Sequence, residues 1–212
     1  MLQNLTVKDF IDELASKSPA PGGGSIAALS ASLASSLASM VFNLTVGKKE
    51  YMEYEEKLKK DIDESLENVG ILKEEFLKFM ERDTNAFLSL MEAFKMPKNT
   101  DEEIKARKQK IAEGNKESLE IPLEVANRAY GIYDYIYIAV KYGNKNALSD
   151  AGVAASLTET AVEGAILNVK INIMGLKDEA YKKDLRDKCN VLLENSKKRK
   201  EEIMIIIENK LI

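Results

Sequence analysis

The sequence predicts an all-α protein, a single-domain bundle of long helices. Apolar residues recur at steps of three and four over most of the 212 residues, with no convincing run of strict alternation. Only four prolines interrupt the chain, at positions 19, 21, 97 and 122. No composition shift or fixed-period repeat marks an internal boundary, so residues 1–212 are expected to form one domain.

The elements follow in order. Thr6 is placed to cap a first helix reaching about Lys17. The run Pro19-Ala20-Pro21-Gly22-Gly23-Gly24-Ser25 is a stiffened loop that then loses its side chains. Ser25 is the expected N-cap of an uncharged helix of Ala, Ser and Leu that continues to about Val46. Gly47 marks a break, and one long helical region is expected from about Lys48 to Lys95. Met96-Pro97-Lys98-Asn99 reads as a turn. Thr100 and Glu103 have capping-box spacing for the next helix. Pro122 is expected to kink or interrupt that helix, which resumes to about Tyr142 and ends at Gly143 and Asn144. Ser149 is the expected cap of a helix reaching about Met174, and Gly175 ends it. A last amphipathic helix covers about 178–210.

Composition narrows the chemistry. Hydrophobic residues make up 45% and charged residues 31%, and the net charge of −4 comes without any basic block. That argues against a nucleic-acid partner. The chain has no histidine, which removes His general bases, Ser-His-Asp and Cys-His catalysis and the usual zinc sites. Acid–base work then falls to Asp, Glu, Lys, Tyr or the substrate itself. The single Cys189 is expected to be a plain surface or semi-buried thiol in a reducing, cytoplasmic setting. Charges at Lys8, Asp9, Asp12 and Glu13 break any apolar leader near the start. The uncharged Ser25–Val46 stretch is rich in serine and reads as a packed interior helix rather than a membrane span.

Three groups of residues carry candidate chemistry. The glycine loop and the helix start behind it offer close backbone approach and unpaired N–H groups, or merely close a turn. In the region 62–94 the apolar stripe runs Ile62, Leu66, Val69, Leu72, Phe76, Met80, then Asp83, then Phe87, Leu90 and Phe94. A carboxylate on that stripe is costly unless paired. It either bonds a buried backbone group or a lysine, or lines a pocket with a raised pKa suited to proton transfer. The third group is Asp150, Ala154, Leu157, Ala161, Gly164, Asn168 and Asn172, one helical face that is small in the middle and polar at both ends. It suits either a flat ligand or helix packing. Asn144, Asn146, Ser149 and Asp150 make a polar loop whose default duty is turn formation. Lys95, Lys98 and Arg107 are solvated surface or a guide for an anionic tail. Tyr130, Tyr133 and Tyr137, at helical spacing, read as core or interface packing.

The runs PAPGGGSIAA, RDTNAF, MPKNTDEE, YGN, SDAGVAA and NVKIN, in this order over nearly the whole chain, resemble the formimidoyltetrahydrofolate cyclodeaminase family. This is the C-terminal half of the bifunctional formiminotransferase-cyclodeaminases; no counterpart of the transferase half is present. The resemblance implies an all-α dimer that closes 5-formimidoyltetrahydrofolate to 5,10-methenyltetrahydrofolate and releases ammonia. It implies Asp83 as the catalytic residue and a folate site drawn from Pro21, Gly22, Gly23, Gly24, Ser25, Lys98, Asn144, Asp150, Asn168 and Asn172. No metal or separate cofactor is implied, since the folate is the substrate. A separate formimidoyltransferase is a possible partner, and no membrane partner is expected. The family also contains methenyltetrahydrofolate cyclohydrolases with much the same motifs. A non-catalytic folate-binding or scaffold protein is the alternative from another class.

Overall fold

A computed structural model describes residues 1–211, and within them every regular element is helical. Helix α1 is Val7–Leu14, α2 Gly23–Asn43, α3 Lys49–Met52, α4 Glu56–Lys95, α5 Asp101–Tyr142, α6 Leu148–Asn172 and α7 Glu179–Leu211. Short 3-10 turns cover Leu2–Asn4, Lys145–Ala147 and Ile173–Gly175.

Helix α2 is the axis of the bundle. Its alanines and serines present little bulk, so α4 and α6 close on it from two sides and α5 from a third. Ala28, Ala31, Ala34 and Ala38 are fully buried. A methyl group on Gly164 of α6 would come within 3.3 Å of Ala27 Cβ, which shows how near the two helices run. Both neighbours are antiparallel to α2: Ser25 meets Asp83 and Ser32 Oγ donates to the Lys73 carbonyl of α4, while Ala27 meets Gly164 of α6. Among the described residues α2 is the one helix long and apolar enough to cross a membrane, and most of it is buried inside the protein. Helix α7 lies over α5 and α6. Tyr133 Oη and Ser196 Oγ share a hydrogen bond of 3.0 Å in its shadow, and Lys200 pairs with Glu159.

The local signals behave as physics requires at most ends. Thr6 Oγ1 accepts from the Asp9 N–H at the start of α1, and the Thr100–Glu103 capping box opens α5 with both of its bonds formed. Gly47 takes φ 77°, the left-handed conformation that favours glycine. Tyr133 is fully buried against α7, so the tyrosine repeat is core packing. Cys189 is more buried than expected, and burial pushes its thiol pKa up.

Four expectations are corrected. The region 48–95 is not one helix: the chain turns between α3 and α4, where Tyr51 Oη donates to the Asp63 carboxylate and Tyr54 Oη to the Tyr142 carbonyl. Those are tertiary bonds, and no local breaker announces them. Pro122 does not interrupt α5, which runs continuously through it. Ser149 does not cap α6, whose N-cap position is Ala147; Asn144 instead caps the 3-10 turn before it. Finally, the N-cap of α2 falls three residues earlier than expected, at Gly22 rather than Ser25, which puts Ser25 inside the first turn.

Candidate active site

The displacement of Ser25 from cap to first turn creates the site. Its hydroxyl points across to α4, donates to Asp83 Oδ2 at 2.8 Å and shares a 3.0 Å bond with Thr84 Oγ1. The Ser25 backbone N–H also bonds the Asp83 carboxylate. Asp83 thus occupies the anion position that the N-terminus of α2 offers. Both sequence alternatives for Asp83 are met at once: the carboxylate bonds a backbone group, and it also lines a cavity.

Gly24 is what lets the carboxylate sit there. A Cβ on Gly24 would lie 2.7 Å from Asp83 Cγ and Oδ2 and closer still to Oδ1. The same atom on Gly23 would meet only the Asn168 amide, at 3.4 Å from Nδ2 and 3.9 Å from Oδ1, and on Gly22 it would meet nothing within 4 Å. The three glycines are therefore unequal, and close approach is compulsory at the third alone.

Asp83 is half-buried, and no lysine or arginine among the described residues reaches ion-pair distance of it. Burial raises its pKa above the ordinary carboxylate range; the two bonds from Ser25 pull in the other direction and do not cancel the effect.

The cavity around Asp83 holds about 270 Å³. The loop supplies Pro19, Ala20 and Gly22–Gly24; α4 supplies Asp83, Thr84, Phe87 and Leu90; α5 supplies Ser118; α6 supplies Asn168, Ile171 and Asn172. Asn168 Nδ2 donates to the Gly164 carbonyl, which orients its amide against the loop. Asn172 Nδ2 donates to the Ser118 carbonyl. That carbonyl is the one Pro122 leaves without a donor, because position i+4 has no N–H. Asn172 therefore lets α5 run through its proline without an orphaned carbonyl facing the cavity. Among the described residues no group of three or more Asp, Glu, His or Cys is placed to hold a metal.

Of the expected site residues, Gly22, Gly23, Gly24, Ser25, Asp83, Asn168 and Asn172 come together. Pro21 is buried just behind the loop and does not line the cavity. Three residues are not brought to it. Asn144 lies against Leu44 and Thr45, at the far end of α2 and about 30 Å from Gly24 by helix rise. Its groups are spent there: Nδ2 donates to the Leu44 carbonyl, Oδ1 accepts from the Asn146 N–H, and its own N–H bonds Thr45 Oγ1. Asp150 is in the first turn of α6, about 27 Å along that helix from Asn168, where a carboxylate suits the helix dipole. Lys98 is exposed in the turn beyond the end of α4, past Lys95 and some 18 Å along the helix from Asp83. Sequence reasoning missed Thr84, Ser118 and Ile171. For Ser118 a signal existed: it stands four residues before a helix-interior proline.

Fold and site together define a helical protein that holds one half-buried carboxylate against a glycine-bared helix start, with no histidine in the chain and no cluster of metal ligands among the described residues. Comparison with known proteins narrows the class. The family model described as formiminotransferase-cyclodeaminase matches residues 6–191. The chain is 38% identical over 210 residues to a methenyltetrahydrofolate cyclohydrolase of Methylorubrum extorquens, covering 99% of each. It is 32% identical over 196 residues to the formimidoyltransferase-cyclodeaminase of Mus musculus, covering 92% of this chain but only 36% of that longer protein. The crystal structure of a formiminotetrahydrofolate cyclodeaminase from Thermotoga maritima superposes with a TM-score of 0.77 at 25% identity, covering 100% of this chain and 98% of that one. This chain belongs to the formiminotransferase-cyclodeaminase family.

Proposed function

We propose that this protein is an enzyme acting on the carbon held between N5 and N10 of tetrahydrofolate, and that it closes 5-formimidoyltetrahydrofolate to 5,10-methenyltetrahydrofolate with loss of ammonia. The observation that carries the reading is Asp83: a half-buried carboxylate with a raised pKa, held by Ser25 beside bared backbone. Folate N10 attacks the carbon of the N-protonated formimidoyl group, an amidinium, forming the N10–C bond. The Asp83 carboxylate takes the N10 proton. As a carboxylic acid it returns that proton to the amino group, the C–N bond to this group breaks, and ammonia leaves. The positive charge of the amidinium reappears on the methenyl bridge, so charge and atoms balance. One group serves both transfers, which suits a chain without histidine. No separate cofactor is assigned, and the folate is the substrate.

A second reading has its own support in the full-length similarity to the Methylorubrum cyclohydrolase. There Asp83 deprotonates a water that attacks the methenyl carbon, that proton passes to the departing folate nitrogen, and the remaining hydroxyl proton is released to solvent as the formyl C=O forms. Both directions cross the same kind of tetrahedral centre. A spectrophotometric assay decides between them: methenyl absorbance grows from the formimidoyl substrate in the first case and decays from the methenyl substrate in the second. Asp83→Asn is the control in each. Retained folate binding with neither reaction in the wild type sinks both readings and leaves a carrier.

We further read the protein as a homodimer. The solvent side of α2 carries Leu33 and Met40, with Leu44 just past its end, and that of α6 carries Val153 and Leu167, all exposed. Light scattering on wild type and Leu33→Lys tests this, with a monomeric wild type as the refuting result.

A further inference from the structure

Asp83 is not held by Ser25 alone, because a second hydroxyl stands behind that serine. Ser25 Oγ lies 2.8 Å from Asp83 Oδ2 and 3.0 Å from Thr84 Oγ1, and Ser25 and Thr84 are buried, at 0% and 8% exposure. A serine carries one hydroxyl proton, and an ionised carboxylate can only accept. While Asp83 is ionised, the Ser25 proton therefore goes to Oδ2, and Thr84 must donate the bond between the two hydroxyls. Threonines inside helices commonly donate back to the carbonyl four residues earlier, as Thr158 and Thr160 do on α6. Thr84 instead bonds Ser25 across the α2–α4 seam. The result is a chain with one direction, from Thr84 to Ser25 to Asp83.

We propose that Thr84 is a positioning residue for the proton transfer: by donating to Ser25 it polarises that hydroxyl toward Asp83, and so sets the pH at which the carboxylate becomes a base. The reaction it serves rests on the folate reading above. Each bond in such a chain strengthens the next. Protonating Asp83 at Oδ2 would turn the chain around and require a new acceptor for the Thr84 hydroxyl, so the chain favours the ionised form. It opposes burial, which favours the neutral form. No charged group offers the same balance. Helix α2 has no charged residue, and α5 and α6 give the cavity only Ser118, Asn168, Ile171 and Asn172. Glu117 and Glu120 beside Ser118 and Lys17 before the glycine loop are exposed, and Lys170 of α6 donates to Asn190. On α4 itself, Arg82 is turned to Glu124 and the Phe79 ring, and Glu81 accepts from the Gln3 N–H. Two hydroxyls thus stand where a charged partner for Asp83 would otherwise be needed.

The test follows the Asp83 carboxyl carbon by NMR titration of the ligand-free protein, with Asp83→Asn assigning the signal. Thr84→Val keeps the shape of the side chain and removes the donor. Its Asp83 titration midpoint is expected to rise by roughly 0.5, a factor of about three in the dissociation constant, as for one neutral hydrogen bond acting through another. Thr84→Ser keeps the hydroxyl and restores the wild-type midpoint, and Thr84→Ala moves it in the same direction as valine. On top of Ser25→Ala, Thr84→Val moves the midpoint no further, because the chain is already cut. With the folate substrate the acid limb of kcat/KM shifts by the same factor, while KM on the high-pH plateau stays level. An unchanged midpoint in Thr84→Val and Thr84→Ala overturns the assignment. So does a serine variant that fails to restore it, or an equal shift with and without the Ser25 hydroxyl. A wild type that turns over neither folate is a different failure: it removes the reading of the reaction, and the titration still decides what Thr84 does.

Discussion

The two ends of α2 invite comparison. Each faces a polar loop and opens on a cavity, and the residues expected to bind folate divide between them. The N-terminal end meets Asp83, Asn168 and Asn172 around about 270 Å³. The C-terminal end meets Thr45, Asn144 and the lysines 48, 49 and 145 around a larger space of about 360 Å³. Size favours the second end, and chemistry favours the first. A helix N-terminus presents N–H groups and a positive dipole end, and here it holds a carboxylate whose protonation lies within reach. A helix C-terminus presents carbonyls, and here Asn144 and Thr45 satisfy them: Thr45 Oγ1 donates to the Val41 carbonyl and Asn144 Nδ2 to that of Leu44. The lesson is that one side-chain type has opposite meanings at the two ends. Asn168 faces a cavity with capacity to spare, whereas Asn144 is consumed by a cap.

The sharpest way to break this contrast is Asp83→Asn. Turnover is expected to fall by about 10²- to 10⁴-fold, as for loss of a general acid–base group, with folate affinity retained. An unaffected kcat would return the site to purely structural duty. Next comes the glycine series. Gly24→Ala must push the carboxylate aside and is expected to cost on the order of 10² in kcat/KM, whereas Gly22→Ala, whose Cβ meets nothing, is expected to be near neutral. Equal effects at 22 and 24 would refute the close-approach argument.

Ser25→Ala removes a bond that holds the Asp83 pKa down. The acid limb of the pH–rate profile is therefore expected to move to higher pH, with kcat reduced about tenfold near neutrality. The folded-state pKa of Asp83 is raised, so its favourable contribution to stability is complete below the ordinary carboxylate value and is lost as pH rises through the raised one. Differential scanning calorimetry should accordingly find Asp83→Asn gaining on wild type as pH increases from about 4. A gain on lowering pH contradicts the burial argument. The smallest effect belongs to the other end of α2. Asn144→Ala is expected to cost about 1 kcal/mol of stability through lost capping bonds and to leave kcat alone. A large fall in kcat at unchanged stability would reunite the two ends in one site.

Much of this was readable beforehand, and the failures have a common form. The apolar stripe singled out Asp83 because one charged residue at a core-facing position breaks the pattern. The glycine run was legible because bare backbone is a local property. Asn168 and Asn172 were legible because their spacing places them on one helical face. Asn144 and Asp150 lie away from the Asp83 cavity, at the other end of α2, because motif order along a chain carries no information about which end of an antiparallel neighbour a residue meets; Lys98 lies beyond the end of α4. Ser118 had one local signal, its place four residues before Pro122, but what fills the gap there comes from Asn172 on another helix.

The amino-acid sequence by itself determined that this protein is helical, that its axis is a helix of small residues opened by glycines, and that no histidine takes part in any proton transfer it performs. Those follow from periodicity, side-chain size and the lack of histidine, all of which act within a turn or two of chain. Only the tertiary structure decided that Ser25 binds Asp83 instead of capping its own helix, and that Asn172 mends the gap at Pro122. It also decided that the buried Ser118 hydroxyl has no partner among the described residues. Hydrogen bonds between residues 54 or more positions apart set these outcomes, and their partners are chosen by how α2, α4, α5 and α6 pack together.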